Sequence, residues 1–201
     1  MKALNILESL KAGNQRFIDG DSKIQALASP KRREAVADRQ KPIAVILGCS
    51  DSRVPAEIVF DQGLGDLFVI RVAGNIVAPS QIGSIEIAIE QFGVELVVVL
   101  GHSNCGAVEV TIEDLLDLSE SNSEYLEGIV SRIRPALKPL IEDHVKNDGS
   151  LKNRAVKANI NASVRQLERG SEILARLVAT EKLMIVGAEY SLDTGLVSFL
   201  D

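Results

Sequence analysis

Two short segments of the chain hold the residues that could bind a metal ion. The segments 49–53 (Cys-Ser-Asp-Ser-Arg) and 101–106 (Gly-His-Ser-Asn-Cys-Gly) contain both cysteines of the chain and one of its two histidines. One imidazole and two thiolates form a ligand set that suits zinc. We therefore predict one Zn²⁺ per chain, bound by Cys49, His102 and Cys105.

Asp51 and Arg53 lie beside the first predicted ligand and allow two forms of the site. Asp51 could take the fourth position on the metal, which would give a closed site of the structural type. Alternatively, Arg53 could hold the carboxylate away from the metal through charge-assisted hydrogen bonds. We predict that low pH favours the closed form and high pH the open form.

The open form would have the chemistry of a metal hydroxide. Zinc with three protein ligands and a free fourth position converts bound water to hydroxide near neutral pH. The free oxygen of Asp51 would accept the hydrogen of that hydroxide and orient it toward a substrate. Gly101 and Gly106 bracket the second segment, and the N–H of Gly106 is predicted to face the bound species.

Composition argues against several classes of function. The chain has 201 residues and a net charge of −6, without a basic block to contact phosphates, so we expect no nucleic-acid partner. No run reaches the ~18 apolar residues of a membrane span, and the N-terminus does not have the pattern of a secretory signal. A single Cys49–Cys105 disulfide is the alternative to a metal site. We predict a cytoplasmic protein with no membrane partner.

Five short segments predict β-strands. The first four are mostly apolar and end at turn residues, which is typical of strands buried on both faces of a parallel sheet. The last follows a turn at 191–195 and predicts an antiparallel edge strand. The five segments are 43–47, 67–72, 95–100, 182–188 and 196–200.

Apolar residues at helical spacing fill the remaining segments. The predicted helices cover 5–18, 30–38, 80–92, 104–115, 125–145, 153–168 and 172–178. Ser80 is the expected cap of its helix, and Pro135 and Pro139 predict a break or kink in theirs. We expect a single domain over 1–201. Its residues 1–40 are predicted to form a helical arm that could pack on another subunit.

The order of these elements brings the two ligand segments together. Strands that alternate with helices predict an α/β fold, with a mainly parallel central sheet of four strands plus an antiparallel edge strand, flanked by helices. Cys49 directly follows the first strand and His102 follows the third. Functional groups of open parallel sheets gather at the carboxyl ends of strands. If the first and third strands are neighbours, the three ligands converge.

These motifs resemble the β-class carbonic anhydrases, in particular the bacterial and cyanobacterial branch. The matching segments are 49–55, 65–75, 102–106 and 187–190. The resemblance implies zinc on Cys49, His102 and Cys105. It also implies Asp51 and Arg53 as the catalytic pair, and a homodimer or homotetramer.

The implied activity is the reversible hydration of carbon dioxide to bicarbonate and a proton by zinc-bound hydroxide. The pKa of about 7 that we use for zinc-bound water is the value for carbonic anhydrases with three histidine ligands. Gly106 and Gln62 are the predicted substrate-side residues. Gln62 matches the substrate-side glutamine of the plant-type members only with a displacement of one residue.

Two further positions depart from the family pattern. Members with an inhibitory bicarbonate site have Trp three residues before the first cysteine, where this chain has Ile46. Arg71 and Tyr190 fill the other two positions of that site. Plant-type members commonly have a pocket-lining Tyr where Ile87 stands. Bicarbonate regulation and the shape of the substrate pocket are therefore open questions.

Two other functions remain open on the sequence alone. A hydrolase of carbonyl sulfide or carbon disulfide would use the same nucleophile on a similar linear molecule. A structural zinc protein, such as a scaffold in a carboxysome, would keep Asp51 on the metal. Arg53 argues against the structural protein, because a purely structural site has no need to draw the aspartate away. We predict that His144, in a charged segment, is a solvated side chain, and a role as a proton shuttle stays open on the sequence alone.

Overall fold

The computed structural model describes residues 2–118, 123–144 and 151–200. Within these ranges the strands are β1 (Ala44–Gly48), β2 (Leu67–Arg71), β3 (Leu96–His102), β4 (Met184–Tyr190) and β5 (Val197–Phe199). The helices are α1 (Lys2–Asp19), α2 (Ile24–Leu27), α3 (Pro30–Ala35), α4 (Ala56–Val59), α5 (Pro79–Phe92), α6 (Gly106–Leu115), α7 (Glu124–His144), α8 (Leu151–Gly170) and α9 (Glu172–Ala179). A short 3₁₀ turn covers Ala73–Asn75.

The strands form one sheet in the order β2-β1-β3-β4-β5. The first four strands in this order pair in parallel, and β5 pairs antiparallel with β4. The prediction of a mainly parallel sheet with an antiparallel edge strand is therefore confirmed. The strands β1 and β3 are direct neighbours, with Gly48 opposite Leu100.

Both faces of the sheet are covered, and the alternation of side chains along β1 shows how. Val45 and Leu47 point into a core formed with α5 to α9, whereas Ala44 and Ile46 point into a second core formed with α1 and α4. All four side chains are fully buried. A strand covered on both faces needs apolar residues at every position, which explains the continuous apolar pattern.

The N-terminal helix α1 packs on the sheet of its own chain. Leu10 is fully buried in the second core. The amide of Asn14 donates to the carbonyls of Val59 (3.1 Å) and Gly195 (2.8 Å), and its oxygen accepts from the N–H of Val197 (2.8 Å). Contact of the 1–40 region with another subunit stays a prediction.

The start of α5 differs from the sequence prediction. Ser80 is not its cap: Pro79 is in the first turn, and the cap position is Ala78, whose side chain makes no capping bond. Proline replaces the cap here because its ring presets the helical φ angle and it has no N–H to satisfy. The predicted end is confirmed, since Gly93 has a left-handed φ of 65°.

Of the predicted break or kink in α7, the break is wrong, because the helix continues through Pro135 and Pro139; a kink at these residues stays a prediction. Each proline removes a backbone hydrogen bond. The helix is held instead by its apolar stripe, which is fully buried against the neighbouring helices and comprises Val130, Ile133 and Leu137. The predicted final residue 145 and the side chain of His144 lie outside the part that the structure describes. No described helix is both long and apolar enough to cross a membrane.

Candidate metal centre

The structure brings three of the predicted site residues together at the carboxyl end of the sheet. Cys49 follows β1 directly, His102 is the last residue of β3, and Cys105 is the residue immediately before α6. Their possible ligand atoms all lie within 4.8 Å of one another. The residues are 5%, 0% and 2% exposed, respectively, so water has little access to these atoms.

A tight turn lets His102 and Cys105 face the same point. Asn104 between them has a left-handed φ of 53°, which asparagine tolerates better than most residues. Ser103 ties the turn to β4, because its N–H donates to the carbonyl of Tyr190 (3.0 Å). Its hydroxyl also accepts from the N–H of Leu192 (2.9 Å).

The imidazole of His102 has one nitrogen bonded and one free. Nδ1 lies 2.9 Å from the carbonyl of Ser103, which assigns the proton to Nδ1. Nε2 is buried and has no hydrogen-bond partner. A buried nitrogen with an unused lone pair is costly unless something binds it, and a metal ion is a partner of the right chemistry.

The two thiols are close enough to influence each other. The neighbouring Cys105 thiol is the main cause that lowers the pKa of Cys49 to about 4, while proximity to Cys49 and burial raise the pKa of Cys105. The N–H of Gly74 also donates to Sγ of Cys49 (3.3 Å). A divalent cation would replace the proton that lies between the two sulfur atoms, and it would also bind Nε2 of His102. The donor set therefore fits Zn²⁺.

Asp51 lies beside this donor set and forms a hydrogen-bonded ion pair with Arg53. The guanidinium donates from Nε to Oδ1 (2.9 Å) and from Nη2 to Oδ2 (2.7 Å), and the backbone N–H of Arg53 donates to Oδ1 (3.0 Å). These bonds hold the pKa of Asp51 well below its usual range. Oδ2 lies 3.9 Å from Nε2 of His102, so the carboxylate is at the edge of the three ligand atoms.

Arg71, at the end of β2, fixes the backbone of the first ligand loop. It donates from Nε to the carbonyl of Cys49 (3.1 Å) and from Nη2 to the carbonyl of Asp51 (2.5 Å). Arg71 pairs with Gly48 across the sheet, which places its side chain beside the loop that follows β1. Sequence reasoning missed this role, although a long cationic side chain ending a strand next to the ligand-bearing strand was a usable signal.

A family model described as carbonic anhydrase matches residues 44–197, which is most of the chain. This chain belongs to the carbonic anhydrase family. A carbonic anhydrase of Mycolicibacterium smegmatis is 40% identical over 190 residues, covering 94% of this chain and 89% of the relative. Carbonic anhydrase 2 of Mycobacterium tuberculosis is 38% identical over 188 residues, covering 94% and 88%.

Solved structures of β-carbonic anhydrases share the fold. The β-carbonic anhydrase CcaA superposes with a TM-score of 0.75 at 25% identity, covering 98% of this chain and 88% of that one. A tetrameric β-carbonic anhydrase from Sordaria macrospora superposes with a TM-score of 0.73 at 24% identity, covering 86% and 87%. The identification of the β class from the two ligand motifs is confirmed.

The two predicted substrate-side residues have different surroundings. Gly106 opens α6 immediately after Cys105, and no atom lies within 4 Å of the place where a Cβ would stand. Gln62 is buried, and its amide donates to the carbonyl of Phe60 (2.9 Å). Their roles toward substrate in this carbonic anhydrase stay predictions.

Residues at the inhibitory bicarbonate positions of the family have structural partners here. Ile46 and Tyr190 are buried in the second core, and the Tyr190 ring lies 6.5 Å from that of Phe17. Arg71 is engaged with the ligand loop. Ile87, at the plant-type tyrosine position, is 54% exposed on α5.

Proposed function

We propose that this protein catalyses the reversible hydration of carbon dioxide to bicarbonate and a proton. The observation that carries the proposal is a buried Cys-His-Cys donor set with an arginine-held aspartate at its edge. Membership of the carbonic anhydrase family supports it, as do curated relatives of that name at 40% and 38% identity.

Each residue of the site has a defined part in this proposal. Cys49, His102 and Cys105 would hold Zn²⁺, which would supply Lewis-acid activation of water near neutral pH. The Asp51 carboxylate would accept a hydrogen bond from the attacking water and orient it toward carbon dioxide. Arg53 keeps the carboxylate ionised and in place, with both guanidinium bonds on its oxygens.

In this proposal the substrate side of the site is formed by Gly106 and Gln62. The open space at the Cβ position of Gly106 supports our proposal that its backbone N–H donates to the reacting oxygens. Gln62 is proposed to contact substrate through its amide. Asp51 as a fourth metal ligand remains our proposal for low pH, where the closed form would prevail.

We also propose that the enzyme works as a homodimer or homotetramer in the cytoplasm. The likeness to a solved β-carbonic anhydrase described as tetrameric supports an oligomer. A reducing compartment suits a site that needs two thiolates, because oxidation would join Cys49 and Cys105. Association with a carboxysome is also part of this proposal, and labelling of cells would test it.

The experiment is stopped-flow hydration of carbon dioxide at pH ~7 and ~8.5, on protein whose zinc content has been measured. We expect about one zinc per chain and a rate that rises with pH. Removal of zinc by a chelator should abolish the rate, and adding zinc back should restore it. Full zinc without turnover at either pH would overturn the proposal; parallel assays with carbonyl sulfide and carbon disulfide would then separate a related hydrolase from a structural zinc protein.

A further inference from the structure

A cavity lies at the edge of the sheet opposite the metal centre. It is lined by residues from α1, α3, the segment leading into β1, and the end of α5. Ile43 precedes β1 and Asp66 precedes β2, so the cavity opens where the strands begin. Its volume is about 920 Å³, which is large enough for a small organic ligand.

Positive charge dominates the lining of this cavity. Four basic side chains line it, and the one acidic side chain in the lining is Asp66. Two of the four are already paired: Lys2 Nζ lies 2.8 Å from Glu95, and Arg32 Nη2 lies 2.5 Å from Asp66.

The other two basic residues, Arg39 and Lys41, are not paired. They are exposed and make no ion pair with any residue that the structure describes. Two uncompensated positive charges thus face one cavity, on a chain whose net charge is −6. The local potential favours an anion, even though the molecule as a whole repels one.

The walls between these charges are apolar. Large side chains line the cavity and are only partly buried, so some of their surface stays open to it; they are Ile6, Val36, Ile43 and Phe92. A small inorganic anion would leave this surface in water. A ligand with an apolar body would cover it and gain the free energy of burial.

We propose that this cavity binds an organic anion that has an apolar body and a carboxylate, sulfonate or phosphate head. Arg39 and Lys41 bind the head, and the apolar wall receives the body. The site is separate from the metal centre and does not depend on the reaction proposed there.

A competing explanation is that Arg39 and Lys41 stabilise the neighbouring helices and bind no ligand. Cationic side chains near the carboxyl ends of α3 and α5 stabilise the helix dipoles. That role predicts a loss of stability on substitution without any effect on ligand binding, so the two explanations have different signatures.

Anilinonaphthalene sulfonate, a fluorescent organic anion, is a suitable probe, titrated into the zinc-loaded protein. We expect one saturable site per chain. Binding should weaken about tenfold in Arg39→Gln/Lys41→Gln, since each lost cation removes a charge-assisted contact. The exchange Arg39→Lys/Lys41→Arg should keep it, and inorganic phosphate should compete only weakly.

The matched control is Lys31→Gln/Arg33→Gln, which removes two exposed charges of α3 that do not line the cavity. The proposal is overturned if the control weakens binding as much, or if Arg39→Gln/Lys41→Gln leaves binding unchanged and alters only the melting temperature. Equal affinity for inorganic phosphate and for the probe would show that the apolar wall does not contribute to binding, and would refute a ligand with an apolar body. A change of oligomeric state in Arg39→Gln/Lys41→Gln with no probe binding to the parent protein would show that a second copy fills the cavity instead.

Discussion

Arg53 determines the charge and the position of the only carboxylate found at the edge of the three ligand atoms in the described structure. The side chain of Arg53 is more than half exposed, yet among the described residues every hydrogen bond to the Asp51 carboxylate comes from Arg53. A lysine offers one compact charge, whereas arginine presents a planar fork that matches both oxygens. The interaction therefore matters for orientation more than for stability, because exposed ion pairs contribute little to folding.

Arg53→Gln should lower the hydration rate by about 10²-fold, the order of a lost acid–base or orienting group. Arg53 lowers the pKa of Asp51, so the carboxylate in the parent protein stays ionised and loses its charge only as pH falls through that depressed pKa. Without Arg53 the pKa of Asp51 rises toward its ordinary value of about 4, so the carboxylate should lose its charge at a higher pH than in the parent protein. Stopped-flow hydration at pH ~8.5 would measure the loss of rate, and NMR titration of the labelled Asp51 carboxyl from pH ~2 to ~6 would measure the pKa shift.

Two comparisons make the Arg53 test specific. Arg53→Lys should give an intermediate rate, because the charge remains and the fork is lost. Arg169→Gln, which removes an exposed arginine from the end of α8, should leave the rate and the pH profile unchanged. A parent-like rate in Arg53→Gln at full zinc occupancy would show that Arg53 does not position the aspartate.

At the scale of elements, α8 holds the end of β3 in place through one side chain. Ile160 is fully buried, and a Cβ placed on Gly101 would lie 2.5 Å from its Cγ1. A Cβ on Gly187, on the neighbouring strand β4, would lie 2.7 Å from its Cγ2. The two glycines thus let the helix approach the sheet closely, one residue before His102.

Gly101→Ala should destabilise the protein by about 1–3 kcal/mol, because the added methyl group overpacks the contact with Ile160. It should also lower zinc retention, since His102 is the next residue. Gly83→Ala is the control: Gly83 lies inside α5 with no atom near its Cβ position, so we expect a gain of about 0.5–1 kcal/mol. Urea denaturation measures both values.

A double-mutant cycle tests the stated cause. Ile160→Ala removes the two atoms that Gly101→Ala would strike, so the cost of Gly101→Ala should be much smaller in the Ile160→Ala background. Equal costs in both backgrounds would mean that the strain arises elsewhere, for example in the backbone of β3.

The separation along the sequence between interacting residues decided which structural features could be predicted. Strand patterns are local, and so is the clustering of scarce ligand residues just after strands, which is why the sheet and the motifs around Cys49 and His102 were predictable. Arg71 donates to carbonyls about twenty residues away in sequence, and Ile160 packs on β3 at Gly101 and on β4 at Gly187. The continuation of α7 through two prolines depends on tertiary packing that no local rule contains.

At the scale of the whole molecule, Asn14 joins segments from the two ends and the middle of the chain. Its side chain is 3% exposed and bonds the loop before β5, the first residue of β5 and the last residue of α4. These partners are 45 to 183 positions away in sequence. The N-terminal helix is thereby joined both to the edge hairpin and to helix α4, which follows the metal-binding segment 49–53.

Asn14→Ala should therefore cost about 3 kcal/mol, because it leaves the buried backbone groups of Val197 and Val59 and the half-buried carbonyl of Gly195 without partners. Gln15→Ala should cost less than about 0.5 kcal/mol, since Gln15 is exposed and bonds only Asp19 of the same helix. Hydrogen exchange locates the effect. In Asn14→Ala the Val197 amide should exchange much faster, whereas the exchange rates of amides in the middle of β3 should rise only as far as the loss of global stability requires. If the Val197 amide kept its protection while global stability fell, α1 would be held by its apolar face alone, and Asn14 would have no role in joining the ends of the chain.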